Sequence, residues 1–276
     1  MKSTTLLLAI SVFSLCLLQA CGGGSGDGAH GGGGSQSTSA PLTPVIRKFA
    51  ASGSPDYFLN GRYILAEGLN GFAQDADGAM TTLESISLSG QYELKDVSGD
   101  ADFAMGRWVK GTVTLTDTSY GKPVITTLTG QDAGSFHYLV FNEAKNLPQT
   151  GAYACDAGTF TTPTFEGGGA SAHSDSGNAT GSARLCFEVG GPRMGGEIVV
   201  SADGASGSAP LKRVVPGQTV FTTHTFTGDF FNNSAGNGAA VFLGHSSTGG
   251  FFVMASYAAV LSNGARYIGV ARFSCK

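Results

Sequence analysis

Apolar side chains recur at every second position in short runs from about residue 46 onward. Clear examples are Thr112–Thr116, Ser182–Val189, Glu197–Ala202 and Tyr267–Phe273, each of which gathers its apolar residues on one face. This period of two is typical of antiparallel strands that cover a core with one face. Glycine, threonine and serine separate the runs. The sequence therefore predicts an all-β fold of about a dozen short strands, arranged as a sandwich or a barrel.

A barrel that spans a membrane is the less favoured form of this prediction. It requires tilted strands of about 9–11 residues with a continuous apolar outer band. The runs in this chain are shorter, and their outer faces carry threonine, arginine and glutamate.

Residues 1–20 predict an export signal. Lys2 precedes an apolar stretch shorter than the about 20 residues that a membrane-spanning helix needs. The stretch ends in Leu18-Gln19-Ala20-Cys21, which resembles the lipobox of bacterial lipoproteins, although Gln19 departs from the usual small residue. The resemblance implies cleavage after residue 20 and lipidation of Cys21. An ordinary secretory signal followed by a chance cysteine is the alternative.

Residues 21–45 predict a disordered tether, because they are rich in glycine and serine and have no apolar period. Gly22 follows Cys21, where an aspartate is linked with retention at the inner membrane in the lipoproteins that the chain resembles. The resemblance therefore implies an outer-membrane protein anchored by lipid, facing either the cell surface or the periplasm.

The charge balance argues against a nucleic-acid partner. The chain has 16 lysines and arginines against 20 aspartates and glutamates, a formal net charge of −4. Proteins that bind nucleic acid need a basic surplus to neutralise phosphates, and this chain has none.

An ordered series of short motifs lies between residue 104 and residue 275. Its members are Gly106-Arg107-Trp108, His137–Val140, Gly151-x-Tyr153, Gly181–Phe187, Phe226–Phe230 and Gly269–Phe273. The series resembles the C-terminal barrel of transferrin-binding-protein-like lipoproteins. That resemblance implies an eight-stranded antiparallel β-barrel over residues 104–276, and the asparagine-rich segment 231–238 and the cysteines depart from it. Residues 46–103 then add strands to the barrel or form a small β-subdomain, and both alternatives remain open.

The three residues Gly106, Arg107 and Trp108 form the structural motif at the start of the predicted barrel. Trp108 is the only tryptophan of the chain, and we expect it to close one end of the barrel as a core residue. The alternative is a stacking platform for a ligand.

Two segments and the histidines were compared with catalytic and metal-binding motifs, and each lacks residues that the motif requires. Gly244–Thr248 lacks the final glycine and the following helix of a lipase nucleophile elbow, and it predicts a hairpin tip. Asp75–Gly78 starts like a calcium loop but lacks the later ligands and predicts a tight turn. The five histidines have no zinc-ligand spacing, and His137 and His224 are expected to be structural rather than haem ligands. The sequence thus predicts no catalytic residue, no metal and no cofactor beyond the lipid.

Three cysteines remain for the body once Cys21 carries lipid. Cys155 and Cys186 lie on consecutive predicted strands, so a disulfide between them is the first expectation. The alternation places them on opposite faces, however, and bridging needs both on one side. Cys275 is therefore the alternative partner of Cys155.

Three functions remain open from the sequence. The first is a non-enzymatic lipoprotein whose barrel loops bind a protein or a small solute, with a link to iron or haem acquisition that only the resemblance suggests. The predicted contact loops are 167–180, 230–238 and 245–250. The others are a structural or periplasmic envelope lipoprotein and a lipocalin-like carrier with a hollow barrel.

Overall fold

The computed structural model describes residues 48–53, 55–61, 64–116, 121–169, 172–189, 191–211 and 236–276. Every regular element in these ranges is a β-strand, as the alternation predicted. The predicted signal, the tether and Cys21 lie outside the described residues. No helix in the described part of the chain is long and apolar enough to cross a membrane.

The first sheet, sheet A, contains eight antiparallel strands. They are β1 (Pro55–Asn60), β2 (Ile64–Gly68), β3 (Phe72–Gln74), β4 (Met80–Leu83), β5 (Ile86–Gly99), β6 (Phe103–Leu115), β7 (Val124–Thr129) and β8 (Phe136–Asn142). Their order is β2-β1-β8-β6-β5-β4-β3, with β7 also beside β6. Strands from both sides of residue 103 therefore share one sheet, and the strands of segment 46–103 extend it.

One face of sheet A curls around its own core. Residues from β1, β4, β5, β6, β7 and β8 bury their side chains there, among them Tyr57, Leu83, Ile86, Trp108 and Leu128. The curl gives sheet A the form of a half-barrel.

The remaining strands form two smaller sheets. Sheet B contains β10 (Thr159–Phe160), β11 (Thr164–Gly168), β15 (Gly238–His245), β16 (Phe251–Val260) and β17 (Ala265–Cys275), and sheet C contains β9 (Gly151–Ala154), β12 (Asn178–Glu188), β13 (Gly191–Ala202) and β14 (Ala205–Pro210). The orders are β10-β17-β16-β15, with β11 also on β17, and β14-β13-β12-β9.

Sheet B is the middle layer of the molecule. Its odd-numbered core residues, such as Val253 and Tyr267, pack against sheet C. Phe252, Met254 and Val270 point the other way and meet Phe58 of sheet A. Both faces of β16 are therefore buried, which explains why a single apolar face does not describe the strands of this sheet.

Sheets B and C join through the end of β9. Ala154 N–H donates to the Lys276 carbonyl at 3.0 Å, and Lys276 N–H donates to the Ala154 carbonyl at 2.9 Å. On the far side, no ladder joins β14 to β15 among the described residues. The closed eight-stranded barrel therefore stays a prediction.

Some local structure departs from simple alternation. Glu84 has a positive φ of 53° and separates β4 from β5. Gly90 lies inside β5, where the pairing register shifts. The predicted contact loop 167–180 is shorter than expected, because β11 runs to Gly168 and β12 begins at Asn178. The predicted hairpin tip after His245 is confirmed, since it joins β15 to β16.

Candidate ligand cleft between strands β7 and β11

The Gly106-Arg107-Trp108 motif lies on β6, and alternation sends its side chains to opposite faces of sheet A. Trp108 is fully buried in the half-barrel core and donates its indole N–H to the Met80 carbonyl at 2.7 Å. Gly106 makes room for Tyr138, because a Cβ at this position would lie 2.5 Å from the Tyr138 hydroxyl. A fully buried indole presents no surface on which a ligand could stack.

Arg107 points away from that core into a buried ionic network. Its Nε donates to Asp96 at 2.6 Å, and its guanidinium donates to Asp132 at 3.0 Å. Lys95 also reaches Asp132, at 3.1 Å. Burial raises the pKa of Asp132, but the hydrogen bonds and charges of Lys95 and Arg107 outweigh it and lower the pKa. Asp96 further accepts the Thr162 N–H at 2.7 Å, so the network fixes the segment between β10 and β11 to sheet A.

His137 makes a second connection between the same parts. Its two ring nitrogens lie 2.7 Å from the hydroxyls of Thr161 and Thr164. Burial and the nearby charge of Arg107 lower the pKa of His137 well below its ordinary value, so the ring is neutral. Both ring nitrogens of His137 are therefore engaged in contacts within the protein.

A cleft of about 430 Å³ opens beside this network, between the edge of β7 and β11. Its hydrogen-bonding wall consists of Thr126, Thr127, Thr129, Gln131 and Ser135, and its apolar wall consists of Val109, Leu128, Phe165 and Ile268. The volume lies at the small end of the range for sites of small ligands. An apolar surface beside hydroxyl and amide groups suits a ligand with both apolar and hydrogen-bonding parts.

Glu166 is the one charged residue in the described lining of the cleft. Its carboxylate lies 2.7 Å from the guanidinium of Arg266, which is only 9% exposed. Burial raises the pKa of Glu166, against the lowering effect of Arg266. The pair leaves the cleft without an uncompensated charge, which favours an uncharged ligand.

A separate carboxylate pair lies near the junction of sheets A and B. Burial, and then the charge of Glu143, raises the pKa of Asp56 to about 7. Glu143 forms an isolated bridge with Gly244 of β15. The pair lies outside the cleft, since neither carboxylate belongs to its lining.

The predicted disulfide between Cys155 and Cys186 is wrong, because Cys155 has a different partner. Cys155 bonds to Cys275, with Cα atoms 3.9 Å apart, where the end of β9 lies beside β17. Cys186 stands opposite Ala152, so it is three positions along the strand from the level of Cys155. Three positions correspond to about 10 Å, beyond the reach of a disulfide.

The described residues of the predicted contact loops do not line the cleft. Most of segment 230–238 lies outside the described residues, and segment 245–250 forms the hairpin between β15 and β16. In segment 167–180, the ring of His173 packs with its centroid 5.3 Å from that of Phe165. The cleft itself was missed, because its lining comes from distant parts of the sequence. The only available signal was the uncharged composition of β7.

Among the described residues, no group of three histidine, cysteine or acidic side chains could hold a metal ion. Comparisons with protein-family models, with curated proteins and with solved structures found no match for this chain.

Proposed function

We propose that this chain is a non-enzymatic, lipid-anchored outer-membrane lipoprotein that holds an uncharged ligand in the cleft between β7 and β11. The observation that carries the proposal is the cleft itself, with its hydroxyl-lined wall, its apolar wall and its compensated charge. The lipid anchor rests on Cys21 and its lipobox-like context, and the outer membrane on the resemblance to lipoproteins.

The surroundings of the cleft support a preformed binding site. Asp96 and His137 hold the segment between β10 and β11 against sheet A through hydrogen bonds of 2.7 Å. Both sides of the cleft are therefore fixed before a ligand arrives, which reduces the ordering that binding would otherwise require.

The ionisable groups around the cleft support binding without chemistry. Glu166 is paired with Arg266, and the two ring nitrogens of His137 are occupied by threonine hydroxyls. General acid–base catalysis needs a titratable group that can reach the substrate. These groups are instead committed to contacts within the protein.

A lipocalin-like carrier is less well supported. Such a carrier needs a hollow interior, and the space between sheets B and C is filled by packed side chains that include Leu185, Val200, Tyr257 and Phe273. A ligand would therefore bind between strands at the surface rather than inside this core.

A variant that fills the cleft tests the proposal. Ala133 lines the cleft, so Ala133→Trp would occupy it, and exposed Ala51→Trp serves as the control because Ala51 lies outside the lining. The mature lipidated chain in detergent is titrated with extended uncharged peptides and neutral oligosaccharides, and with haem as a charged probe that the proposal expects not to bind, and binding is followed by NMR. We expect one class of probe to bind the wild type and Ala51→Trp, and to lose at least about tenfold in affinity with Ala133→Trp. Equal binding to both variants, or binding by no probe, would show that the cleft is not a ligand site.

A further inference from the structure

β7 is an edge strand whose free side faces the cleft. One edge of β6 pairs with β5, and its other edge pairs with β8 along 103–108 and with β7 along 110–115. β1 covers the outer edge of β8 and ends at Asn60, opposite His137. Gly61 follows and lines the cleft. Among the described strands, none takes the corresponding place beside β7, so the cleft occupies a vacant strand position in line with β1.

The hydrogen bonds between β6 and β7 show which main-chain groups of β7 face the vacant strand position. Gly130 N–H donates to the Val109 carbonyl at 3.1 Å, and these residues continue the register of β6 and β7. Along two antiparallel strands, residue pairs that exchange main-chain hydrogen bonds alternate with pairs whose main-chain groups point to the outer edges. The amides and carbonyls of Ile125, Thr127 and Thr129 therefore point away from β6, towards the free edge. Residues 126–129 all line the cleft in succession, as expected when the edge of a strand rather than one face borders it.

This edge also lacks the devices that protect free strands. Natural edge strands carry charges, prolines or bulges that prevent pairing with other chains. β7 has the sequence Val-Ile-Thr-Thr-Leu-Thr, without charge or proline, and pairs with β6 without a register shift. Ile125 leaves 63% of its surface exposed. An edge of this kind is suited to accept a strand.

We propose that the ligand is an extended, uncharged segment of a partner polypeptide, which adds a strand to β7 by main-chain hydrogen bonds. This inference rests on the proposed ligand function of the cleft and names its ligand class. Main-chain groups repeat along β7 at the spacing of another polypeptide, which a sugar chain does not match. Side chains on one face of the added strand would pack on the apolar lining of the cleft, where Phe165 is half-buried whereas Leu128 and Ile268 are almost fully buried. The β-branched residues valine and threonine suit such a segment, and a charged residue beside the Glu166–Arg266 pair does not.

The probe is an acetylated and amidated peptide of alternating threonine and valine, about seven residues long to match β7. It is titrated into the mature lipidated chain in detergent, and amide hydrogen exchange is read at each residue. We expect the exchange of Ile125, Thr127 and Thr129 to slow by about tenfold or more at saturation. The same peptide with an N-methyl group at every residue lacks donors along both edges, and we expect it to give no protection.

A pair of variants at one position separates main-chain pairing from side-chain contact. Thr127→Pro removes an outward N–H, a substitution that edge strands tolerate, and we expect it to abolish the protection. Thr127→Val keeps the N–H but loses the hydroxyl that lines the cleft, so we expect weaker binding with the same main-chain protection at saturation. If Thr127→Pro fails to fold, the N-methylated peptide tests the same hydrogen bonds on the unchanged protein.

Each other outcome overturns the inference in a distinguishable way. Equal binding of the N-methylated peptide, or of the peptide to Thr127→Pro, would exclude main-chain pairing. Binding of an oligosaccharide that Ala133→Trp abolishes, without peptide binding, would refute strand addition and leave the proposed cleft function standing. A dimer of the chain alone that Thr127→Pro dissociates would assign the vacancy to a second copy instead of a partner.

Discussion

Opening the Cys155–Cys275 disulfide, which lies in the core between sheets B and C, should strongly destabilise the fold. The bond closes a loop with a sequence separation of 120 residues. In the chain-entropy description, closure of such a loop lowers the entropy of the unfolded chain enough to stabilise the fold by about 5 kcal/mol at 25 °C. Cys275→Ala, Cys155→Ala and the double variant should lose the same amount, because each opens the same loop.

Urea denaturation of the oxidised protein measures the loss. With a slope of about 3 kcal/mol per molar, the midpoint should fall by about 1.7 M for each variant and for the wild type under reductant. Cys186→Ala is the matched control, and we expect its urea midpoint to change by less than about a third of the change for Cys275→Ala. A loss as large for Cys186→Ala as for Cys275→Ala would refute the pairing. A loss below about 1 kcal/mol for all variants would refute the entropic reasoning.

Two further predictions concern sheet A. Gly106→Ala should cost about 1–3 kcal/mol, since its Cβ would lie 2.5 Å from the Tyr138 hydroxyl, and adding Tyr138→Phe should recover part of the loss in a double-mutant cycle. Additive costs would contradict this contact. Asp56 has a folded pKa of about 7 and an unfolded pKa near 3.9, so wild-type stability falls as the pH rises from about 4 to 7. Asp56→Asn should therefore raise the free energy of unfolding at pH 8 by about 1–3 kcal/mol, without a gain at pH 4. Denaturation curves measured across this pH range would disprove the prediction if the variant and the wild type differed by the same free energy of unfolding at every pH.

The alternation of apolar residues predicted the strands and much of their orientation. In β12, Ala183, Leu185 and Phe187 were expected on one apolar face together with Val189, and the first three are buried in the core between sheets B and C. Val189 follows the last residue of β12 and is 95% exposed, so the prediction was wrong for that residue. The same reasoning was incomplete for β17, where Val270 is buried as well. Sheet A covers that second face, and a contact between distant segments leaves no period in the strand that it covers.

Register and sheet order could not be predicted from short patterns. Cys155 faces Cys275 because the end of β9 pairs with β17 across most of the C-terminal half, and local spacing says nothing about that pairing. The cleft depends on the strand position beyond Asn60 that none of the described strands fills beside β7. Which positions are filled depends on the assembled sheet, and the local sequence around Gly61 or Thr127 does not indicate it.

The middle layer has a consequence for how the protein is made. Its principal strands, β15 to β17, come last in chain order, whereas sheet A and all of sheet C precede them. During synthesis, Phe58 and Leu139 emerge long before Met254 and Val270, the residues against which they finally pack. The nascent chain therefore exposes the apolar faces of these sheets to solvent until β17 has been made, and such surfaces are prone to aggregation.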